Sequence, residues 1–263
     1  MVPYVLVTMA GRGQRFKEAG YVQPKPFVTV LGQPMISRLM DLFPPNWPSV
    51  YVLNNQDYSH THIDYLKNLR RHLQSQVIDQ IITIEPNDGG PLKTVLAGLD
   101  LIPENVPVFV TYCDYGMVWS AESFLNFIKD NETDICFVSY KGFHAHYLSP
   151  NMYCYTKSDG LRVVDIKEKE CFSSRREFDY ASTGGYYFKT AKLLKQALVE
   201  QIKQNLSWNG EYFTSLAVKA LMNINQDLRV HVYEIPKFFQ WGTPEDLKAF
   251  EYWSEVDYAS FKK

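Results

Sequence analysis

The first 140 residues alternate short apolar runs with segments of helical periodicity. The run over 2–8 is apolar at nearly every position, which predicts a central strand buried on both faces. Comparable patterns predict strands at 50–54, 77–85 and 106–113, and helices at 35–42, 57–73, 92–101 and 120–129. Ser120 is the expected N-cap of the last of these helices. Because strands and helices alternate, we expect an α/β fold with a mostly parallel sheet flanked by helices.

The pattern changes after residue 140. Segments 151–157 and 161–167 flank Ser158-Asp159-Gly160, which predicts a β-hairpin because glycine supplies the positive φ that such a turn requires. A mixed sheet region is expected through Phe188, followed by helices at 189–204 and 213–222 and a strand at 230–235. We find no internal repeat, low-complexity linker or clean boundary. The sequence therefore predicts a single domain over 1–263, with the hairpin as an insertion.

Composition and charge narrow the classes of partner. With 263 residues, 46% of them hydrophobic and 21% charged, the chain has the make-up of an ordinary globular protein. A formal net charge of −2, with no basic run longer than Arg70-Arg71, argues against a nucleic-acid partner. No apolar stretch approaches the roughly 20 residues that a membrane span needs. Cys113, Cys136, Cys154 and Cys171 lack metal-binding spacing, which suits a reduced, cytoplasmic protein; a homo-oligomer remains open.

The candidate chemistry begins directly after the first strand. Gly11 and Gly13 lie in a loop that follows it, and their lack of Cβ lets backbone N–H groups close around phosphate oxygens. Arg15 follows this loop, and Lys25 lies between two prolines that restrict the backbone on both sides of it. A tight turn after a strand would explain the glycines alone, but it would not explain the proline-framed lysine. The combination indicates a site for a nucleoside triphosphate.

Two common nucleotide motifs are excluded by spacing. A dinucleotide fingerprint needs a third glycine where this chain has Phe16. A P-loop needs Gly-Lys-Ser/Thr at its end, and none closes this loop.

Together these segments resemble the N-terminal signature of the sugar-phosphate nucleotidylyltransferases, also called nucleotide-sugar pyrophosphorylases. That signature is A-G-x-G-x-R-F, then P-K-P, then V-x-G-x-P-M, found here within 10–16, 24–26 and 30–35. Further segments follow in the family's order, at 90–97, 110–114, 166–169, 181–188, 209–213 and 242–247. The resemblance covers nearly the whole chain. It implies a Rossmann-like nucleotide-diphospho-sugar transferase fold, similar to GT-A enzymes, with a nucleotide-binding half (1–140) and a sugar-phosphate-binding half (141–263).

The resemblance implies Mg²⁺-dependent transfer of a nucleoside monophosphate from an NTP to a sugar phosphate, with release of pyrophosphate, as in nucleotide-sugar supply for polysaccharide or capsule synthesis. The expected catalytic residues are Arg15, Lys25 and Asp114, and Asp114 is the expected metal ligand. The expected nucleotide-binding residues are Ala10, Gly11, Gly13, Arg15, Lys25, Gly90, Thr94 and Asp114. The expected sugar-phosphate-binding residues are Glu168, Lys169, Gly184 and Gly185.

Several alternatives stay open at this level. Many relatives carry a second metal-binding aspartate where this chain has Gln240, so the site either uses one carboxylate, recruits another such as Glu211, or is weakened. Asp114 could also cap a helix, Lys169 could lie on a solvated strand end, and Gly184 could mark a bulge. A GT-A glycosyltransferase is disfavoured because Asp-x-Asp is missing around Asp114. An inactive, nucleotide-sugar-binding regulatory protein is kept open by Gln240.

Overall fold

The structure, a computed structural model, describes residues 1–70, 79–86, 89–148 and 152–260. The strands are β1 (Tyr4–Met9), β2 (Thr29–Val30), β3 (Gln33–Pro34), β4 (Ser49–Asn54), β5 (Gln80–Ile84), β6 (Val108–Tyr112), β7 (Tyr115–Val118), β8 (Ile135–Tyr140), β9 (Cys154–Asp159), β10 (Arg162–Glu168), β11 (Tyr180–Phe188), β12 (Val230–Glu234) and β13 (Lys237–Gln240). The α-helices are α1 (Gln14–Glu18), α2 (Met35–Met40), α3 (His60–Asn68), α4 (Leu92–Leu99), α5 (Ala121–Asp130), α6 (Ala191–Lys203), α7 (Thr214–Ile224) and α8 (Pro244–Ser260). No helix in these described ranges is long and apolar enough to cross a membrane.

Strand β1 lies inside the sheet and is buried on both faces, as its apolar run predicts. It pairs in parallel with β4 on one side and β6 on the other. Val5 and Val7 belong to the hydrophobic core on one face, whereas Leu6 belongs to the core on the opposite face, and all three are fully buried. Because the pairing with β4 and β6 is parallel, the carboxyl ends of these three strands, and the glycine loop that follows β1, lie at the same end of the sheet.

The described strands of the main sheet run in the order β5-β4-β1-β6-β11-β8-β12-β10-β9, and β9 also pairs with the start of β11. The expected mixed sheet flanked by helices is therefore present. Parallel pairing holds for β5-β4-β1-β6 and for β8-β12, while β11 and the hairpin pair antiparallel. The expectation of a mostly parallel sheet thus holds for the first half of the chain only, because β11 enters the sheet antiparallel between β6 and β8.

The predicted hairpin is formed by β9 and β10, with Gly160 at φ +55° in its turn. Residue 151 of the first predicted arm lies outside the described residues. That the hairpin is an insertion, and that the chain is one domain, stay predictions. Strands from both predicted halves do share the main sheet.

Most of the other predicted elements are present with shifted ends. Ser120 caps α5 through its hydroxyl, which accepts from the Ser123 N–H at 3.2 Å, as predicted. The helix predicted at 57–73 begins after Ser59, and residues 71–73 lie outside the described part, as do residues 77–78 of the predicted strand at 77–85.

A small second sheet shapes the site and was not predicted. Strands β7 and β13 pair antiparallel, and the Trp241 N–H donates to the Asp114 carbonyl oxygen at 3.0 Å. These contacts bring the chain around residue 240 against the end of β6. Four-residue strands offer too few alternations for a sequence pattern to detect them.

Candidate active site

A cleft of about 640 Å³ opens at the carboxyl ends of β1 and β6, and we call it the larger cleft. Such strand ends are where ligands bind in open α/β sheets. Its lining brings together most of the predicted nucleotide-binding residues: Ala10, Gly11, Gly13, Lys25, Gly90, Thr94 and Asp114. Cys113, Tyr112 and Glu211 also line it.

The glycine loop has the conformation that its sequence suggests. Gly13 precedes α1 at φ +61°, and a Cβ there would lie 3.3 Å from the Cβ of Lys25. Nothing lies within 4 Å of the corresponding point on Gly11, so that backbone faces open space. The Tyr58 hydroxyl anchors the start of the loop by donating to the Met9 carbonyl at 2.7 Å. The loop is thus anchored at its start by Tyr58 and is open toward the larger cleft.

Lys25 begins a short 3₁₀ turn, and its ammonium donates to Asp114 Oδ2 at 2.6 Å. The two prolines were expected to hold Lys25 extended, and this expectation is wrong: Pro24 is extended at ψ 142°, but Lys25 itself lies in the 3₁₀ turn. The two charged side chains are 20% and 23% exposed, so the pair is reached by solvent from the cleft. The predicted cation and the predicted metal ligand therefore meet.

The glycine turn at residues 89 and 90 is shaped by close backbone contact. Gly90 has φ +81°, and a Cβ on it would lie 2.8 Å from the Tyr212 backbone nitrogen. The Tyr212 N–H donates to the Gly89 carbonyl at 2.9 Å, and Thr94, in α4, is buried. Glycine at position 90 is thus required by packing, and the same contact brings Glu211 to the larger cleft.

A second cleft of about 160 Å³ adjoins the first, and we call it the smaller cleft. Lys25, Tyr112 and Asp114 line both clefts. The remaining lining of the smaller cleft includes Arg15, Met152, Tyr153, Cys154, Glu168, Ser182, Thr183, Gly184, Tyr186, Phe213, Gln240, Gly242, Thr243 and Asp246. Arg15, predicted to hold nucleotide phosphates, thus lines the smaller cleft together with Glu168 and Gly184, which were predicted to bind the acceptor.

Glu168 is buried at the end of β10, where the Ser215 hydroxyl donates to it at 2.5 Å. Burial raises the pKa of Glu168 to about 7, against the opposing effects of Ser215 and Lys169. Lys169 follows with φ +56°, and burial lowers its pKa. Its ammonium lies 4.2 Å from the Trp208 ring centroid and 4.4 Å from that of Phe213. Glu168 is therefore desolvated and Lys169 is partly buried, rather than both lying on a solvated strand end. Lys169, unlike Glu168, is absent from the described lining of either cleft, so its acceptor contact stays a prediction.

The two predicted glycines of β11 have different surroundings. Gly184 lines the smaller cleft at φ +91°, and a Cβ on it would lie 2.6 Å from the Tyr112 ring. Gly185 is absent from the described lining of either cleft, and a Cβ there would lie 3.0 Å from Phe109 and from the Tyr115 hydroxyl. The ladder shifts register between Ser182 and Gly185, which is a bulge. The structure thus gives Gly185 a packing contact, and its acceptor contact stays a prediction.

Asp246 is a site residue that the sequence analysis missed. It lines the smaller cleft with Asp114 and Gln240, while burial raises its pKa. It also accepts from the Thr243 hydroxyl at 2.9 Å, and its N–H donates back at 3.1 Å. In sequence that pattern indicates only a helix cap. The β7–β13 pairing is what brings this helix start to the cleft.

The residues around Asp114 suit a hard divalent cation. Gln240 Nε2 and Asp114 Oδ2 lie 2.5 and 3.0 Å from the point that a Cβ on Gly242 would occupy, so both side chains converge there. Among the described residues, no group of three or more His, Cys, Asp or Glu side chains is placed to hold a metal. Mg²⁺ prefers oxygen ligands and takes few carboxylates when phosphates and water complete its shell, so the Asp114 carboxylate fits it. The atom that Gln240 turns to this point is its amide nitrogen, which does not bind Mg²⁺.

A cleft at the strand ends and an adjoining smaller cleft, with a lysine–carboxylate pair that lines both, form an arrangement that suits an α/β protein binding phosphorylated ligands. A family model described as the MobA-like NTP transferase domain matches residues 5–175. The chain therefore belongs to the MobA-like NTP transferase family. No curated protein sequence matches it.

Solved structures agree on the fold. A nucleoside-diphosphate-sugar pyrophosphorylase from Vibrio cholerae RC9 superposes with a TM-score of 0.74 at 20% identity, over 94% of this chain and 99% of the other. A UDP-glucose pyrophosphorylase complexed with UDP-glucose gives 0.75 at 15% identity, over 98% and 100%. An inositol-1-phosphate CTP transferase from T. maritima gives 0.68 at 17% identity, over 97% and 96%. The expected nucleotide-diphospho-sugar transferase fold is confirmed.

Proposed function

We propose that the protein transfers a nucleoside monophosphate from a nucleoside triphosphate to a sugar 1-phosphate or a similar phosphorylated alcohol. The observation that carries the proposal is that Lys25 and Asp114 line both clefts. A nucleotide in the larger cleft and a phosphate ester in the smaller cleft would meet at these two side chains. Nucleotide-sugar pyrophosphorylases of the same fold support the choice of acceptor.

In the proposed reaction, a phosphate oxygen of the acceptor forms a bond to the α-phosphorus of the triphosphate. The bond from that phosphorus to the bridging oxygen breaks, and pyrophosphate leaves with the electron pair. The attacking phosphate is already anionic, so no strong general base is needed. Catalysis then consists of alignment and charge neutralisation, to which Lys25 and Arg15 contribute.

Asp114 would hold Mg²⁺, with Asp246 or the Gln240 amide oxygen as the further protein ligand. When bound, the cation would neutralise phosphate charge. Glu211 is the other candidate carboxylate, since it lines the larger cleft with Asp114, as Asp246 lines the smaller cleft with Asp114.

The acceptor would be held in the smaller cleft and by Lys169 beside it. Glu168 is buried in that cleft and can accept hydrogen bonds from hydroxyl groups. Lys169, next to Phe213 of the cleft, carries the charge that suits a phosphate. Gly11 and Gly13 would offer backbone N–H groups to the nucleotide's phosphates, and Gly90 and Thr94 would border its base.

The test is pyrophosphate release with ATP, CTP, GTP, UTP and dTTP against a panel of sugar 1-phosphates with Mg²⁺. Turnover with one pair, lost in Asp114→Ala and Arg15→Ala, is the expected result. No turnover across the panel, with triphosphate binding intact by calorimetry, would contradict the proposal and favour a nucleotide-binding protein without transferase activity.

A further inference from the structure

The ammonium of Lys169 is held between two aromatic rings. It lies 4.2 Å from the Trp208 ring centroid and 4.4 Å from the Phe213 centroid, both within the roughly 6 Å over which a cation is attracted to a ring face. Burial of the lysine strengthens this attraction because water competes less for the charge. The two rings thus fix where the charge lies.

The backbone geometry of Lys169 explains why ring contacts are needed to fix the position of its ammonium. Lys169 follows the end of β10 in a left-handed conformation at φ +56°, so strand pairing no longer sets the direction of its side chain. Its backbone N–H donates to the Tyr153 carbonyl at 2.8 Å. Four rotatable side-chain bonds would otherwise let the ammonium sample many positions.

The Trp208 ring is itself held by a tight hairpin turn. Trp208 and Glu211 exchange two backbone hydrogen bonds of 2.9 Å each, across Asn209 at φ +49° and Gly210 at φ +79°. Two successive positive φ values are those of a type I′ turn, and directly paired residues project to the same face. Glu211 accordingly acts on the same lysine and raises its pKa against the effect of burial.

The segment 208–213 also contacts residues beside the larger cleft, where the nucleotide is proposed to bind. Its Tyr212 N–H donates to the Gly89 carbonyl at 2.9 Å, and the Leu92 N–H donates to the Tyr212 carbonyl at 3.3 Å. Glu211 lines the larger cleft, and Phe213 lines the smaller one. The segment 208–213 therefore contacts the turn at Gly89 and also supplies both rings that contact the Lys169 ammonium.

We propose that Trp208 is a positioning residue: with Phe213, it holds the Lys169 ammonium in the direction from which it binds the acceptor's phosphate. The inference rests on the proposed function, since Lys169 has this role only in that reaction. Neither Trp208 nor Lys169 is among the described lining of the two clefts; the ammonium is tied to the smaller cleft through Phe213, which lines that cleft and whose ring centroid lies 4.4 Å from it. Trp208 contacts the same ammonium, so its effect on the acceptor would pass through the lysine.

The test is a double-mutant cycle on the acceptor KM, with Trp208→Leu, Lys169→Met and the double variant. Loss of a desolvated cation–ring contact should raise the acceptor KM in Trp208→Leu by roughly 2- to 30-fold, with the triphosphate KM changed less than about twofold. In the Lys169→Met background the tryptophan change should have little further effect. Trp208→Phe, which keeps a ring face, should stay close to wild type.

Phe172→Leu is the matched control, because the Lys167 ammonium lies 5.1 Å from the Phe172 ring outside both clefts. It should leave both KM values unchanged. A contact readout that needs no turnover is NMR of lysine labelled with ¹³C at Cε: Lys169 should show upfield-shifted Hε signals, assigned by Lys169→Arg. That readout uses the wild-type fold, so it holds even if Trp208→Leu fails to fold.

If the wild-type protein is active, three results would overturn this inference alone. They are additive effects in the cycle, an equal rise in both KM values in Trp208→Leu, and the absence of an upfield-shifted lysine signal. Wild-type protein that is inactive with every substrate pair would overturn the proposed function, and this inference with it.

Discussion

The ammonium of Lys25 lies 2.6 Å from a carboxylate oxygen of Asp114, although 89 positions separate the two residues in the chain. Both lie at the boundary of the two clefts. An anionic phosphate entering either cleft would bring a new partner for the lysine, and a cation would bring one for the aspartate. The pair therefore holds both charges in place until substrates arrive.

Replacing Lys25 by methionine should lower kcat/KM by about 10²- to 10³-fold, the usual cost of losing one donor to a developing charge. Lys17→Met is the matched control, since Lys17 lies at the same 2.6 Å from Asp57 and is 44% exposed. Steady-state pyrophosphate release measures both variants. Equal losses of kcat/KM in the Lys25 and Lys17 variants would show that these ion pairs matter only for structure.

Glu168 should make stability depend on pH. Its pKa is raised from 4.5 to about 7 by burial, so the folded state binds a proton that the unfolded state has already lost between these values. The stability that Glu168 contributes is fully present below its unfolded pKa and is lost as the pH rises through 7. From pH 5 to 8, the wild type should therefore lose about 2–3 kcal/mol relative to Glu168→Gln.

Urea denaturation at several pH values measures this difference. Glu170→Gln serves as the control, because that side chain is 68% exposed two residues away. A constant difference between wild type and Glu168→Gln from pH 5 to 8 would contradict the raised pKa.

Gly184→Ala should destabilise the fold more than Gly142→Ala. The two glycines have similar φ values of +91° and +87°, so both substitutions carry the same backbone strain. Only at Gly184 would the new Cβ meet a side chain, at 2.6 Å from the Tyr112 ring. We expect an additional cost of about 1–3 kcal/mol from this overlap. Similar urea midpoints for the two variants would indicate that the ring moves aside freely.

Gln240→Asp should lower the Mg²⁺ concentration needed for half-maximal activity, by several-fold. The change adds a carboxylate next to Asp114, and ligand charge is a main determinant of affinity for hard divalent cations. A Mg²⁺ titration of pyrophosphate release measures it, with Gln33→Asp on exposed β3 as the control. An unchanged or higher requirement would count against Gln240 as a neighbour of the metal.

Features set by local sequence were predictable. The buried β1 run, the glycine loop that follows it, and the proline-framed Lys25 each follow from a few adjacent residues. The location of Asp114 at a strand end was likewise visible, because β6 is a continuous apolar run. These features sufficed to predict a nucleotide site.

What depends on distant contacts could not be predicted. Asp246 looks like an ordinary helix-capping residue until the β7–β13 pairing brings it to Asp114's cleft. Nothing adjacent to Trp208 in sequence indicates that its ring contacts Lys169. The Asn209-Gly210 pair predicts a hairpin turn, but not the residue against which the Trp208 ring packs. The antiparallel entry of β11 is also set by neighbours far along the chain.

The central claim is that the α-phosphate of the triphosphate moves to the acceptor's phosphate. The most direct measurement supplies the triphosphate labelled with ³²P at either the α or the γ position, together with the active acceptor, and separates the products. The account predicts α-label in the nucleotide-linked acceptor and γ-label in pyrophosphate. Label from the γ position in the acceptor, or α-label that leaves the triphosphate only as free nucleoside mono- or diphosphate, would contradict nucleotidyl transfer.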